Sequence, residues 1–309
     1  MTIRQSVLTP NTASVGDTSR AIVYMCLACL FWAALELFGG YIPSNYSALE
    51  TVWVRYGVHL VFMLLVFGPS YRTKLLRTNS LKLQLFRPVL MIGMPLFFLL
   101  GVRFMPAQDV WAVFWVTPLM VMGLGRLFLN EHVALPNWIA TAIGLGGIYA
   151  IFHPAVRFLM SWTIVLPLAT AFCFSLYVVL TKMLHGERTL TNLFYTAFVV
   201  FLPWSFGLPH FWQTPTPTAM IAMSAVGLLG FATLYFLDKA QQRAATSALA
   251  PFLYAQPVFL VLLSVLVLHQ SPGISRWLGS SILVGIGIFL VMIERFQNMP
   301  AGGESSSSI

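Results

Sequence analysis

Ten runs of apolar residues, separated by short polar, Pro or Gly punctuation, fill most of this chain. They fall at 21–42, 47–67, 84–104, 107–128, 135–152, 159–183, 190–208, 217–238, 244–268 and 274–295. A helix needs about 20 apolar residues to cross the hydrocarbon core of a bilayer. The runs therefore predict an all-α integral membrane protein with ten transmembrane helices, most of them antiparallel neighbours of the next because the intervals are short. Composition agrees: 8% of residues are charged, against about 25% in an ordinary soluble domain. The 25 Phe, 9 Trp and 10 Tyr exclude a disordered chain. Cys26, Cys29 and Cys173 all lie inside apolar runs and read as small hydrophobes, not as a disulfide framework.

The net charge of +8 is topological in such a chain, because Lys and Arg collect in cytoplasmic loops. With the N-terminus inside, the cytoplasmic segments hold Arg4, Arg20, Arg72, Lys74, Arg77, Lys82, Arg87, Arg126, Lys182, Arg188, Lys239, Arg243 and Arg295. The outer segments hold only Arg103, Arg157 and Arg276. Thirteen against three puts both termini in the cytoplasm. Residues 1–20 and 296–309 read as cytoplasmic tails, the first without a charged-then-apolar signal pattern. No nucleic-acid partner follows from the charge.

The second half restates the first at a constant offset of 139. Phe97 falls on Phe236, Pro118 on Pro257, Trp138 on Trp277, Gly146 on Gly285 and Trp115 on Tyr254, while Asn130-Glu131 falls on His269-Gln270. A repeat of this kind decides the architecture. Five spans per repeat is an odd number, so residues 21–152 and 159–295 form two five-helix repeats inserted in opposite directions. Inverted repeats recur in secondary transporters, where the substrate sits near the midplane between the halves.

These features resemble the EamA-type members of the drug/metabolite transporter superfamily. The residues are Phe31-Trp32-Ala33-Ala34 and Phe172-Cys173-Phe174-Ser175 in the first span of each repeat, Thr117-Pro118 and Gln256-Pro257 in the fourth, and the turns Asn130-Glu131 and His269-Gln270. Gln270 departs from the acidic form of that turn. The stretch Trp111-x-x-x-Trp115-x-x-Pro118 is most similar to the YddG-type exporters. That resemblance implies export of aromatic and other neutral amino acids across the inner membrane of a bacterium by alternating access. Export of another amphipathic metabolite or drug stands beside it, and an integral-membrane lipid enzyme stands further off.

Pro118 and Pro257 predict kinks at matched depth, which either frame a cavity or bend helices for packing. Trp111 and Trp115 share one helical face. Trp115 and Tyr254, each three residues before its proline, are expected to face each other across a mostly apolar cavity and to bind substrate, with Trp32 and Tyr177 as further candidates. Charged groups at membrane depth are functional or paired. Glu36 and Arg55, at matched depth on adjacent helices, are expected to form an ion pair that either pins the hairpin or meets the substrate or a coupling proton, and His59 is open in the same way. Asp109 is expected to cap the fourth span or pair at its outer rim. Gly144, Gly146, Gly147, Gly285 and Gly287 suggest close helix packing. No HExxH, phosphate-binding loop or Cys/His cluster is present, so neither metal nor cofactor is expected. The expected partners are a small-molecule substrate and the bilayer, with the protein acting as a monomer.

Overall fold

The computed structural model describes residues 15–43, 45–154, 161–207 and 212–297. The charge-count residues Arg4 and Arg157, and the tail segments 1–14 and 298–309, lie outside them. Among the described residues, ten apolar helical segments are long enough to cross a membrane, and helix makes up 82% of the structure. They are α1 (Val15–Gly39), α2 (Ala48–Val66), α3 (Leu81–Gly101), α4a (Ala107–Phe114) with α4b (Thr117–Leu129), α5 (Leu135–Phe152), α6 (Val165–Met183), α7 (Thr189–Gly207), α8 (Pro217–Gln241), α9a (Thr246–Leu249) with α9b (Ala255–Leu268), and α10 (Ile274–Gln297). Helices of 18–25 residues are about 27–38 Å long at 1.5 Å per residue, which matches a hydrocarbon core of about 30 Å. Their outward side chains are apolar, including Leu65 (72% exposed), Phe206 (79%) and Leu266 (70%).

Helix α1 starts at Val15, inside the segment expected to be tail. Asp17 in its first turn favours the helix N-terminus, and no proline stands between Val15 and the apolar run. Ser47 starts α2 by accepting from the Leu49 N–H at 3.2 Å. Thr216 does the same for α8 through the Ala219 N–H, with Pro217 in the first turn where its missing N–H costs nothing. Asn130 (φ 53°) and His269 (φ 51°) end α4b and α9b in the left-handed conformation, and their N–H groups return to Gly125 O and Ser264 O. All four residues obey the 139 offset, so the repeat extends to the capping geometry.

Helix packing follows the same pseudo-two-fold relation. Helix α1 packs on α8 as α6 packs on α3, α1 on α9b as α6 on α4, and α2 on α8 as α7 on α3, while α5 meets α10 and α2 meets α7 across the axis. The fold is two inverted five-helix repeats, each lending its first helix to the other. Glycines set the closest approaches. A side chain at Gly147 would meet Gly279 O at 3.0 Å, and the Tyr254 ring fills the space that a side chain at Gly144 would take. Gly146, Gly285 and Gly287, expected to pack closely, have nothing within 4 Å of a Cβ position. They leave the helix thin on faces where no neighbouring helix comes close.

At the prolines the chain breaks outright. Helix α4a ends at Phe114 and α4b begins at Thr117, with Pro118 in its first turn. A proline there disrupts no hydrogen bond within its own helix. The second break is a 3-10 turn, Ala250–Tyr254, between α9a and α9b. Carbonyls freed at membrane depth need partners. The carbonyl that Pro118 cannot serve, Phe114 O, accepts from Thr117 Oγ1, and the one that Pro257 cannot serve, Leu253 O, faces Cys29 Sγ of α1 at 3.8 Å. Beside them, Ser175 Oγ of α6 donates to Thr117 O at 3.3 Å, Tyr254 Oη donates to Trp115 O at 3.3 Å, and Cys29 Sγ donates to Phe252 O at 3.5 Å. The first helix of each repeat thus serves the break in the other.

Candidate functional site

A cavity of about 220 Å³ lies between the two halves. Helix α1 contributes Met25, Ala28, Cys29, Trp32, Leu35 and Glu36, spaced as one helical stripe. Helix α3 contributes Met91, Met94, Pro95 and Phe98 with the same spacing. Arg55 and Tyr56 of α2, Trp111 of α4a, Phe174 of α6, and Thr233 and Leu234 of α8 complete most of the wall. The Trp32 ring lies 5.0 Å from Phe174 and 5.8 Å from Trp115, and Trp111 lies 4.8 Å from Phe98. The lining is therefore a set of aromatic faces and thioethers carrying one carboxylate and one guanidinium.

Glu36 and Arg55 face this shared space. Gln256 and Trp32 flank the carboxylate, Arg55 acts on it through space, and Glu36 Oε1 accepts no hydrogen bond. Arg55 is placed by packing: its guanidinium lies over Gly230 of α8, where a Cβ would come within 2.7 Å of Nε, and 5.3 Å over the Tyr56 ring. A carboxylate with an uncommitted oxygen and a cation seated on a glycine are groups from which a ligand can take hydrogen bonds without displacing a protein partner. His59 lies outside the lining, between Tyr56 and Phe231, with rings 6.2 and 5.1 Å away.

Of the other residues singled out in the sequence, Trp32 and Trp111 line the cavity. Trp115 and Tyr254 do face each other, but in contact, with ring centroids 6.3 Å apart. The expected space between them is closed because Tyr254 Oη reaches across to Trp115 O and Thr141 O. They form a second layer behind Trp32. Tyr177 packs under the Arg87 guanidinium at 5.0 Å, away from the cavity. Pro118 is buried at the start of α4b. Pro257 lines a second space, a vestibule of about 430 Å³, which shares Glu36 and Trp111 with the central cavity and also carries Gln108, Gln270 and Arg276. Asp109 is buried in the first turn of α4a. The α3 stripe was readable from its i, i+3, i+4, i+7 spacing around Pro95, a proline inside α3. Nothing in the sequence distinguished it from packing.

At the opposite end, where Lys and Arg concentrate, the bundle is sealed by polar contacts. Arg87, counted among loop charges from the sequence, is 1% exposed. It donates to Thr181 Oγ1, Asn192 O and Thr196 Oγ1 at 3.2, 2.8 and 2.8 Å. Asn192 donates to Asp238 Oδ1 at 2.7 Å and accepts from Gln84 Nε2 at 2.6 Å. Lys182 Nζ donates to Gln241 O and Ala244 O at 2.8 and 2.7 Å. The Glu131 carboxylate accepts the Thr246 and Ser247 N–H groups at 2.9 and 2.7 Å, joining the end of α4b to the start of α9a.

Inverted repeats, two broken helices at matched positions and a cavity between the halves define a multi-pass membrane transporter. The chain belongs to the EamA-like transporter family, whose model matches residues 19–153 and again 161–293. It is 23% identical to an S-adenosylmethionine uptake transporter of Rickettsia conorii, over 89% of this chain and 93% of that one. It is 26% identical to a riboflavin transporter of Rhizobium johnstonii, over 94% and 98%. A solved crystal structure shares the fold with a TM-score of 0.77 at 17% identity, covering 90% of this chain and 99% of the other. These relatives do not carry the aromatic amino acid exporter subtype that the Trp111–Pro118 stretch resembles.

Proposed function

We propose that this protein carries a small metabolite bearing a flat ring and an α-amino-carboxylate head, aromatic amino acids foremost, across a bacterial inner membrane by alternating access. The observation that carries the reading is that Glu36 and Arg55, which act on each other through space and not in the direct ion pair expected from the sequence, both face a cavity whose wall includes Trp32, Trp111, Phe98, Phe174 and Tyr56. The carboxylate suits an ammonium and the guanidinium a carboxylate, while offset or edge ring contacts favour an aromatic side chain by about 0.5–1.5 kcal/mol beyond burial. S-adenosylmethionine, named for one relative, shares that head and a flat ring system. Riboflavin, named for another, has the ring without the charged head. The cavity, about 220 Å³ before the adjoining vestibule is counted, is small beside the roughly 300–1,000 Å³ of drug-sized sites, which favours a compact substrate.

Purified protein in liposomes, assayed in both directions with labelled Phe, Trp, S-adenosylmethionine and riboflavin, with and without a pH gradient, tests this. Transport of Phe or Trp is expected. Glu36→Gln or Arg55→Gln should weaken apparent affinity about 10- to 100-fold, from the roughly 1.5–3 kcal/mol of a hydrogen bond to a charged group. Riboflavin transport unaffected by either variant, with no amino acid carried, overturns the reading.

The orientation belongs to the same proposal, with both termini cytoplasmic. Single cysteines placed at the exposed positions Ser70 and Gln213, on a chain lacking the three native thiols, should react from outside only at the second. Outer labelling at Ser70 overturns the topology.

A further inference from the structure

A groove of about 820 Å³ lies among the ends of α2, α7 and α8 at the Lys/Arg-rich face. Three cations stand in it on three separate elements: Lys74 after α2, Arg188 before α7 and Lys239 on α8. Lys74 and Arg188 are exposed, and Lys239 Nζ lies 5.6 Å over the Tyr235 ring. The acidic side chain in the lining, Glu187, is committed elsewhere, since its Oε1 accepts from Thr78 Oγ1 at 3.0 Å and the Asn79 N–H at 2.7 Å. The rest of the lining includes aromatic side chains. Phe67 stacks 6.1 Å from Phe231, with Phe236 beside them. On α2 this apolar surface runs on into Leu64, Leu65 and Val66, which are 48%, 72% and 50% exposed.

We propose that this groove binds an anionic phospholipid of the adjacent leaflet, its phosphate held by Lys74, Arg188 and Lys239 and its first acyl carbons laid on Phe67 and Phe231. Charge complementarity selects an anion, and basic pockets between helices on the positive face recruit anionic lipid headgroups. The apolar floor selects an amphiphile. A soluble phosphate compound would engage the cations and leave the phenylalanines in water, whereas a zwitterionic lipid would cover the floor without offsetting the excess of positive charge left after Glu187 is counted. Neither α1, with Glu36, nor the central cavity takes part, so the site is independent of what is transported.

Native mass spectrometry of the full chain in detergent, offered phosphatidylglycerol and phosphatidylcholine of the same acyl length, reads this directly. The protein is expected to retain phosphatidylglycerol in preference. Lys74→Gln, Arg188→Gln and Lys239→Gln should each weaken retention about fivefold, the equivalent of about 1 kcal/mol per basic side chain near an anionic surface. Lys239→Gln alone carries the test if the triple variant does not stay folded. A control with Arg77→Gln, Lys82→Gln and Arg126→Gln removes the same charge from exposed positions outside the groove and should retain lipid like the parent. Equal retention of the two lipids by the parent, or equal loss in both triple variants, overturns the proposal. Displacement of the bound lipid by free glycerol 3-phosphate also overturns it, by making the site one for soluble phosphates.

Discussion

Arg87→Met is expected to be the most damaging single change away from the cavity, costing about 3–5 kcal/mol, the range for removing one partner of a buried charged network. Methionine keeps the apolar stem of the side chain but loses the guanidinium that lies over Tyr177. It removes all three donated hydrogen bonds and takes from the buried Asp238 one of the two cations that act on it, leaving Lys239. The expected result is a large drop in melting temperature in detergent, with little folded protein recovered. Adding Asp238→Asn should restore part of the loss, because a neutral amide no longer needs the missing charge. Melting of Arg87→Met at the parent temperature would show that the network seals nothing.

The second large effect separates two glycines three residues apart on α8. A Cβ at Gly230 meets only the end of the Arg55 side chain, which can swing away. Gly230→Ala is therefore expected to fold normally and to lose transport at least tenfold, because the guanidinium leaves its seat in the cavity. A Cβ at Gly227 meets Val58 Cβ at 2.8 Å and Arg55 O at 2.9 Å. Backbone cannot yield so cheaply, and interiors are packed too densely to absorb it. Gly227→Ala should give little folded protein. Size-exclusion profiles and liposome transport measured side by side on the two variants decide the matter, and equal transport by Gly230→Ala and the parent removes Arg55 from the site.

These outcomes follow the boundary between what the sequence shows and what it hides. Span number, the repeat and its inversion were legible because bilayer thickness imposes a length and an odd span count imposes a direction. The capping residues Asn130 and His269 were visible as aligned turns. The proline pair marked the broken helices, although a break in place of a kink depends on Ser175, Tyr254 and Cys29 supplying hydrogen bonds from distant helices. Trp115 and Tyr254 had the right sequence position and the wrong layer, because ring orientation at a helix break is set by tertiary partners. Arg87 was hidden for a different reason. Three residues inside its predicted span, it reads as a flanking loop charge. Only the polar side chains of α6 and α7, far away in sequence, turn it into a buried one.

The Glu131 contact bears on the resting state of the molecule. Under the pseudo-two-fold relation its counterpart joins Gln270 to the start of α4a, at Ala107 and Gln108. There Gln270 and Gln108 line the open vestibule instead of closing it. One end of the molecule is thus shut by a charged acceptor on two helix N-terminal amides, and the other end has only a neutral amide available for the same task. A hydrogen bond to a charged group exceeds a neutral one by about 1 kcal/mol or more. With all other contacts equal, two such bonds at one end only would bias the two access states by about one to two orders of magnitude. On the alternating-access reading, such an imbalance would have to be offset by how much more tightly the substrate binds the rarer state.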